Sequence, residues 1–177
     1  MRTGEMDTSR IIGLCVLVVV LAWSVYTELT VQRIPNWLTM TGVGAGLLLG
    51  YLPGGITFRA SLIGFGMGFG FLLIFYLYGG MGGGDVKLMG AVGALLGYPL
   101  IVPAIAYTAF LGLLLAVFRL LSQRAFWLRA GRLARRCAGG GTAQAGGGAP
   151  PIQRTVPYGL AIAAGTLLVL VMAGTAP

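Results

Sequence analysis

Four of the 177 residues are acidic, and two of them, Glu28 and Asp85, stand at the edges of long apolar runs. Carboxylates at the edge of a membrane span are costly and usually functional. Glu28 opens the segment Glu28-Leu-Thr-Val-Gln-Arg33-Ile34-Pro35-Asn36, and Asp85 sits in Gly82-Gly83-Gly84-Asp85-Val86-Lys87. Two carboxylates brought within hydrogen-bonding reach do not both ionise easily. They share a proton, and one then acts as base toward a water while the other acts as acid toward a carbonyl. That chemistry needs no histidine, metal or cofactor. The chain has no histidine at all, which excludes Ser-His and Cys-His nucleophile schemes and histidine-ligated metals. Its two cysteines, Cys15 in an apolar run and Cys137 in a basic loop, provide neither a disulfide framework nor a paired-cysteine zinc motif.

The elements that carry these acids must be membrane helices. The composition is 57% hydrophobic and 9% charged, with a mean hydropathy of +0.90, too apolar for an ordinary soluble domain. Uncharged stretches run over 11–27, 37–58, 60–84, 88–118 and 155–177, and a span needs about 20 mainly apolar residues. Gly97-Tyr98-Pro99 interrupts the fourth stretch with a strong turn signal, so it divides into a short helix near 86–97 and a full span near 101–120. The expectation is an all-α polytopic bundle of about six transmembrane helices, one of them short, forming a single membrane domain over 1–177. A signal peptide is the competing reading of the first run, since Arg2 and Arg10 precede it. No convincing small-x-small cleavage site follows, and Leu14 before Cys15 spoils a lipoprotein reading.

The net charge of +8 is distributed as topology rather than as a nucleic-acid footprint. Seven arginines, Arg119, Arg124, Arg129, Arg132, Arg135, Arg136 and Arg154, fall in one loop, and positive residues collect on the cytoplasmic side of short loops. With six spans, the loops 28–36, 79–87 and 119–154 share a side and hold nine of the twelve basic residues, leaving Arg2, Arg10 and Arg59 outside. Glu28 and Asp85 then lie on one face of the membrane. Residues 122–154 read as a flexible, basic, Gly-rich cytoplasmic loop, whose portion 120–137 suits an amphipathic helix on anionic lipid. Apart from Phe126 and Trp127 it lacks interleaved aromatics, so no nucleic-acid partner is expected.

Each motif also has a plainer reading. Glu28 alone reads as a snorkelling interfacial charge, and Asp85 after three glycines as the N-cap of the next helix. Gly82, Gly83 and Gly84 let a substrate backbone approach the acid and let the turn take up positive φ. Asn36 reads as the N-cap of the second span with Trp37 as its belt residue, and Val156-Pro157-Tyr158-Gly159 as the start of the last helix, Pro near its first turn. Gly64, Gly66, Gly68 and Gly70 read as close helix–helix seams.

An acid, five residues, then Ile34-Pro35-Asn36, followed by Gly82-x-Gly84-Asp85-Val86-Lys87-Leu88 with Ala91 and Gly93 beyond, closely resembles the prepilin peptidase family, and the stretch from Val156 to Gly165 resembles its closing motif. The likeness runs from about residue 11 to 174. It implies an intramembrane aspartyl endopeptidase of the Gly-x-Gly-Asp class in the bacterial inner membrane, active site facing the cytoplasm, that cuts short basic leaders from type IV prepilins or pseudopilins. Its partners are then the pilin precursor and the lipid bilayer, and no cofactor or metal is implied. The size resembles the compact form associated with Tad or Flp pili. Larger members carry an N-terminal cysteine-rich segment and N-methylate the new terminus; this chain lacks that segment, so methyl transfer is not implied.

Carried onto this sequence, the resemblance makes Glu28 and Asp85 catalytic, with Arg33, Pro35, Asn36, Gly82, Gly84, Lys87, Pro157 and Gly159 as substrate-binding or supporting residues. One position departs from the pattern: the family has Asp where this chain has Glu28. The extra methylene moves the carboxylate by roughly an ångström, a misplacement that can cost about a hundredfold in rate. Two outcomes stay open at this point, a peptidase that works with Glu28 and a weak or inactive homologue that serves as a pilin-binding or assembly scaffold.

Overall fold

The computed structural model describes residues 8–31, 34–52, 55–79, 81–122 and 158–175. Among them are six helices and no strand: α1 Thr8–Val31, α2 Asn36–Leu49, α3 Phe58–Leu77, α4 Gly83–Leu96, α5 Ile101–Ser122 and α6 Tyr158–Thr175. The protein is an all-α membrane bundle. α1, α3 and α5 are long and apolar enough to cross a bilayer. α6 is a somewhat shorter apolar helix, and α2, at 14 residues, is as short as α4.

The bundle is built around α4, which buries eleven of its 14 residues from Asp85 to Leu96. Small residues make that burial possible. A side chain at Gly64 of α3 would strike the Gly93 carbonyl, one at Gly68 the Met89 carbonyl, and one at Gly46 of α2 the Ala94 backbone. The backbones therefore meet directly, the way membrane helices associate when no hydrophobic driving force separates protein from lipid. The Ser61 hydroxyl donates to the Ala94 carbonyl at 2.7 Å inside the same seam. Gly66 and Gly70 face open space instead, so only the members of the glycine series spaced four apart form the seam.

The outer surface has the inverse character of a soluble protein. Val19, Leu29, Met40, Leu48 and Leu77 are exposed, whereas the small polar residues Ser24, Thr39, Ser61, Thr108 and Thr166 are buried. Three hydroxyls fold back on their own helix: Thr27 on the Ser24 carbonyl, Thr39 on Asn36 and Thr166 on Ile162. Ser24 and Thr108 do neither this nor anything else among the described residues.

The break around Gly97-Tyr98-Pro99 divides α4 from α5 as its turn chemistry predicts. Gly97 takes φ +68° and its amide closes on the Gly93 carbonyl at 2.9 Å, while the Tyr98–Pro99 bond is cis. α4 begins three residues earlier than expected, at Gly83, which places Asp85 inside the first turn rather than ahead of it. Residues 123–157, with most of the basic Gly-rich loop and the segment 123–137 of the expected amphipathic helix, lie outside the described residues, as do Arg33 and Pro157.

Candidate active site

Asp85 occupies the third position of α4 and is 6% exposed. Gly82 is the cap residue of that helix, extended at φ −79° and ψ 142°. The Asp85 amide donates to the Gly82 carbonyl at 3.2 Å. The acid thus stands at N3 rather than at the N-cap, with its carboxylate close to the Gly82 amide. A side chain on Gly82 would sit 3.3 Å from Asp85 Oδ2.

The three glycines therefore work differently from the expectation. None of Gly82, Gly83 and Gly84 adopts positive φ; Gly79, at φ +75°, is the residue that does. Gly84 makes room for the side chain of Ile34, 3.2 Å from where its Cβ would lie, and Gly83 makes room for the Tyr76 ring. They let the start of α2 and the end of α3 close around the acid.

Glu28 reaches the site from the last turns of α1. Its carboxylate meets the N-terminus of α6, where Oε1 accepts from the Gly159 amide at 3.2 Å and the Leu160 amide lies nearby. Two free amides and the positive end of a helix dipole are a natural seat for a carboxylate. The seat exists because residue 159 is glycine, since any Cβ there would collide with Oε2 and lie 3.4 Å from Ser24 Oγ. Oε2 itself is buried and has no hydrogen-bond partner among the described residues. Glu28 and Asp85 stand close enough for each to feel the other's charge, and the Tyr158 hydroxyl lies within the field of Asp85. Tyr158 is held by Gly112 of α5, whose missing side chain leaves space for the ring.

Two further predicted residues, Asn36 and Lys87, form a brace between the two motif segments. Lys87 donates from Nζ to Asn36 Oδ1 at 3.0 Å, joining the Ile34-Pro35-Asn36 segment to the Gly-Asp-Val-Lys segment. Asn36 is thus not the cap of α2; Pro35 holds that position, extended, with its carbonyl accepting from the Leu38 amide. Trp37 packs edge-on against Trp23, which also meets Tyr26, an aromatic cluster suited to the interfacial belt. Next to Lys87 a groove of about 250 Å³ runs between α2 and α3, lined by Thr39, Met40, Val43, Phe65 and Phe69.

Sequence reasoning missed Ser24 and Tyr158. Both carried a signal, Ser24 as a small polar residue one helical turn before the acid and Tyr158 as the neighbour of a motif glycine. No group of three or more His, Cys, Asp or Glu side chains able to hold a metal forms among the described residues.

No curated protein and no solved structure matches the chain. The sequence model of the type IV leader peptidase family does match, over residues 15–117, a region that includes both acids and the brace while the Tyr158-Gly159 junction lies beyond it. That match covers more than half of the chain, and the protein belongs to the type IV leader peptidase family.

Proposed function

We propose that the protein is an intramembrane aspartyl endopeptidase that removes the short basic leader of type IV prepilins of the Tad or Flp kind, with Glu28 and Asp85 as its catalytic pair. The observation that carries the reading is the convergence of two acids from α1 and α4 at one end of the bundle, close enough to act on each other's charge. One deprotonated carboxylate takes a proton from water as the water oxygen adds to the scissile carbonyl carbon, and the other, protonated, gives its proton to the carbonyl oxygen. Collapse of the resulting diol breaks the carbon–nitrogen bond. The proton taken from water passes to the leaving amine, one diol hydroxyl gives its proton to the other carboxylate as the new carboxyl group forms, and the pair returns to its shared-proton state.

The groove between α2 and α3 accepts apolar side chains of the pilin's own helix, which brings the leader junction toward Asp85. Placement of the site at the cytoplasmic face of a bacterial inner membrane rests on the distribution of basic residues along the sequence, with Arg33, Lys87 and seven arginines in alternate loops between the apolar runs.

A scaffold reading draws on one specific observation, that the Glu28 carboxylate already accepts from the Gly159 amide of α6 and so joins two helices. Co-expression with a prepilin separates the two. Leader removal is followed by gel mobility and N-terminal sequencing in wild type, Glu28→Gln, Glu28→Asp and Asp85→Asn. A catalytic pair predicts cutting by wild type and Glu28→Asp and none by the two neutralised variants. A wild type that binds the precursor but leaves it intact sinks the peptidase reading.

A further inference from the structure

Three buried side-chain oxygens lack a hydrogen-bond partner among the described residues: Ser24 Oγ, Glu28 Oε2 and Thr108 Oγ1. Thr108 lies against Gly165. The other two converge. Ser24 and Glu28 are four residues apart on α1 and so project from the same face one turn from each other, and a Cβ on Gly159 would meet both of their free oxygens.

Leaving a buried hydroxyl unpaired is costly, and a serine in a helix has an easy remedy in the carbonyl three or four residues back. Thr27 and Thr30 on the same helix take that remedy, and Ser24, fully buried, does not. Its donor is held off its own backbone, beside the one carboxylate oxygen that the Gly159 amide does not use.

We propose that Ser24 is a positioning residue for Glu28, its hydroxyl donating to Oε2 when the carboxylate works on substrate. The Gly159 amide fixes Oε1, Ser24 fixes Oε2, and the longer glutamate side chain is held at both oxygens rather than swinging on its extra methylene. The inference deepens the peptidase reading and rests on it for its kinetic consequence, while the contact itself is independent of turnover.

The test uses the full chain in phospholipid nanodiscs with a purified prepilin, measuring kcat and KM separately. Ser24→Ala is expected to lower kcat about tenfold, the effect of one hydrogen bond to a charged group, with KM unchanged. In the Glu28→Asp background, where the carboxyl is drawn back along α1, the same substitution should cost about twofold or less, a non-additivity that packing alone does not produce. Ser24→Cys, similar in size but a weak donor, should fall with Ser24→Ala. Equal losses in both backgrounds, or a Ser24→Cys variant that matches wild type, would mean that Ser24 only fills space and would overturn the proposal.

An infrared measurement keeps the contact testable if neither wild type nor Glu28→Asp cuts any prepilin, the outcome that ends the peptidase reading. With a prepilin bound, the Glu28 carboxyl band, assigned by its loss in Glu28→Gln, should shift in Ser24→Ala; a band that stays in place refutes the hydrogen bond.

Discussion

The seam between α3 and α4 and the junction between α1 and α6 both depend on glycine, for opposite ends. In the seam, Gly64, Gly68 and Gly93 remove side chains so that two backbones touch, and the one hydroxyl present, Ser61, is paired with the Ala94 carbonyl. At the junction, Gly159 removes a side chain so that a carboxylate and a hydroxyl reach a helix end, and two of their oxygens are left without partners among the described residues. The first arrangement closes every polar account and yields rigidity. The second holds polar capacity in reserve. A membrane protein with little polar surface inside can thus be searched for its chemistry by asking which glycine contacts are apolar or backbone and which face unsatisfied oxygen.

The comparison breaks most decisively at Asp85. Asp85→Asn should lower leader cleavage by about a thousandfold, within the range of acid–base catalysis, while the protein accumulates normally in membranes by immunoblot. An active Asp85→Asn variant would mean that the buried acid belongs to the scaffold.

Gly159→Ala is the next largest effect and the sharpest contrast. The added methyl collides with the Glu28 carboxylate, and displacement of a catalytic group on that scale should cost about a hundredfold in cleavage rate. Thermal stability in detergent should change far less than activity does. If activity and stability fall in proportion, the junction is one more packing seam.

Gly64→Ala reverses the balance. Its new methyl would be driven into the Gly93 carbonyl, and overpacking of this kind destabilises by about 1–3 kcal/mol. Gly66→Ala, which meets nothing within 4 Å, should stay within about 0.5 kcal/mol of wild type. Denaturation curves of the two variants side by side distinguish a facing glycine from a lipid-side one. The smallest effect is expected at the brace: Asn36→Ala removes an exposed hydrogen bond to Lys87 worth about 1 kcal/mol, so cleavage should fall only a fewfold, as read from initial rates.

Much of this arrangement was legible from residue order alone. The apolar runs, the turn at Gly97 and the alternation of charged loops put Glu28 and Asp85 at one end of the bundle before any coordinates. The glycines were harder, because hydropathy has the same sign for a helix face against lipid and a face against protein, and so Gly66 and Gly70 looked no different from Gly64 and Gly68. The seat of Glu28 was not legible either. Its partner is the backbone amide of Gly159, more than a hundred positions away, and amides carry no residue type for a pattern to register. Asn36 misled for a related reason, since its side chain serves Lys87 across the bundle in preference to its own helix end.

The shortness of α2 bears on the lipid as much as on the protein. At about 1.5 Å per residue its 14 residues cover about 21 Å, against a hydrocarbon thickness of about 30 Å. Its outer face exposes Met40 and Leu48, and a bilayer that meets that face would have to thin on this flank to match it. Headgroups and water would then be drawn inward beside the groove next to Lys87. Under the proposed function, a peptide bond next to a membrane-embedded helix would become hydrated without leaving the membrane, and bilayer thickness would become a determinant of how fast it is cut.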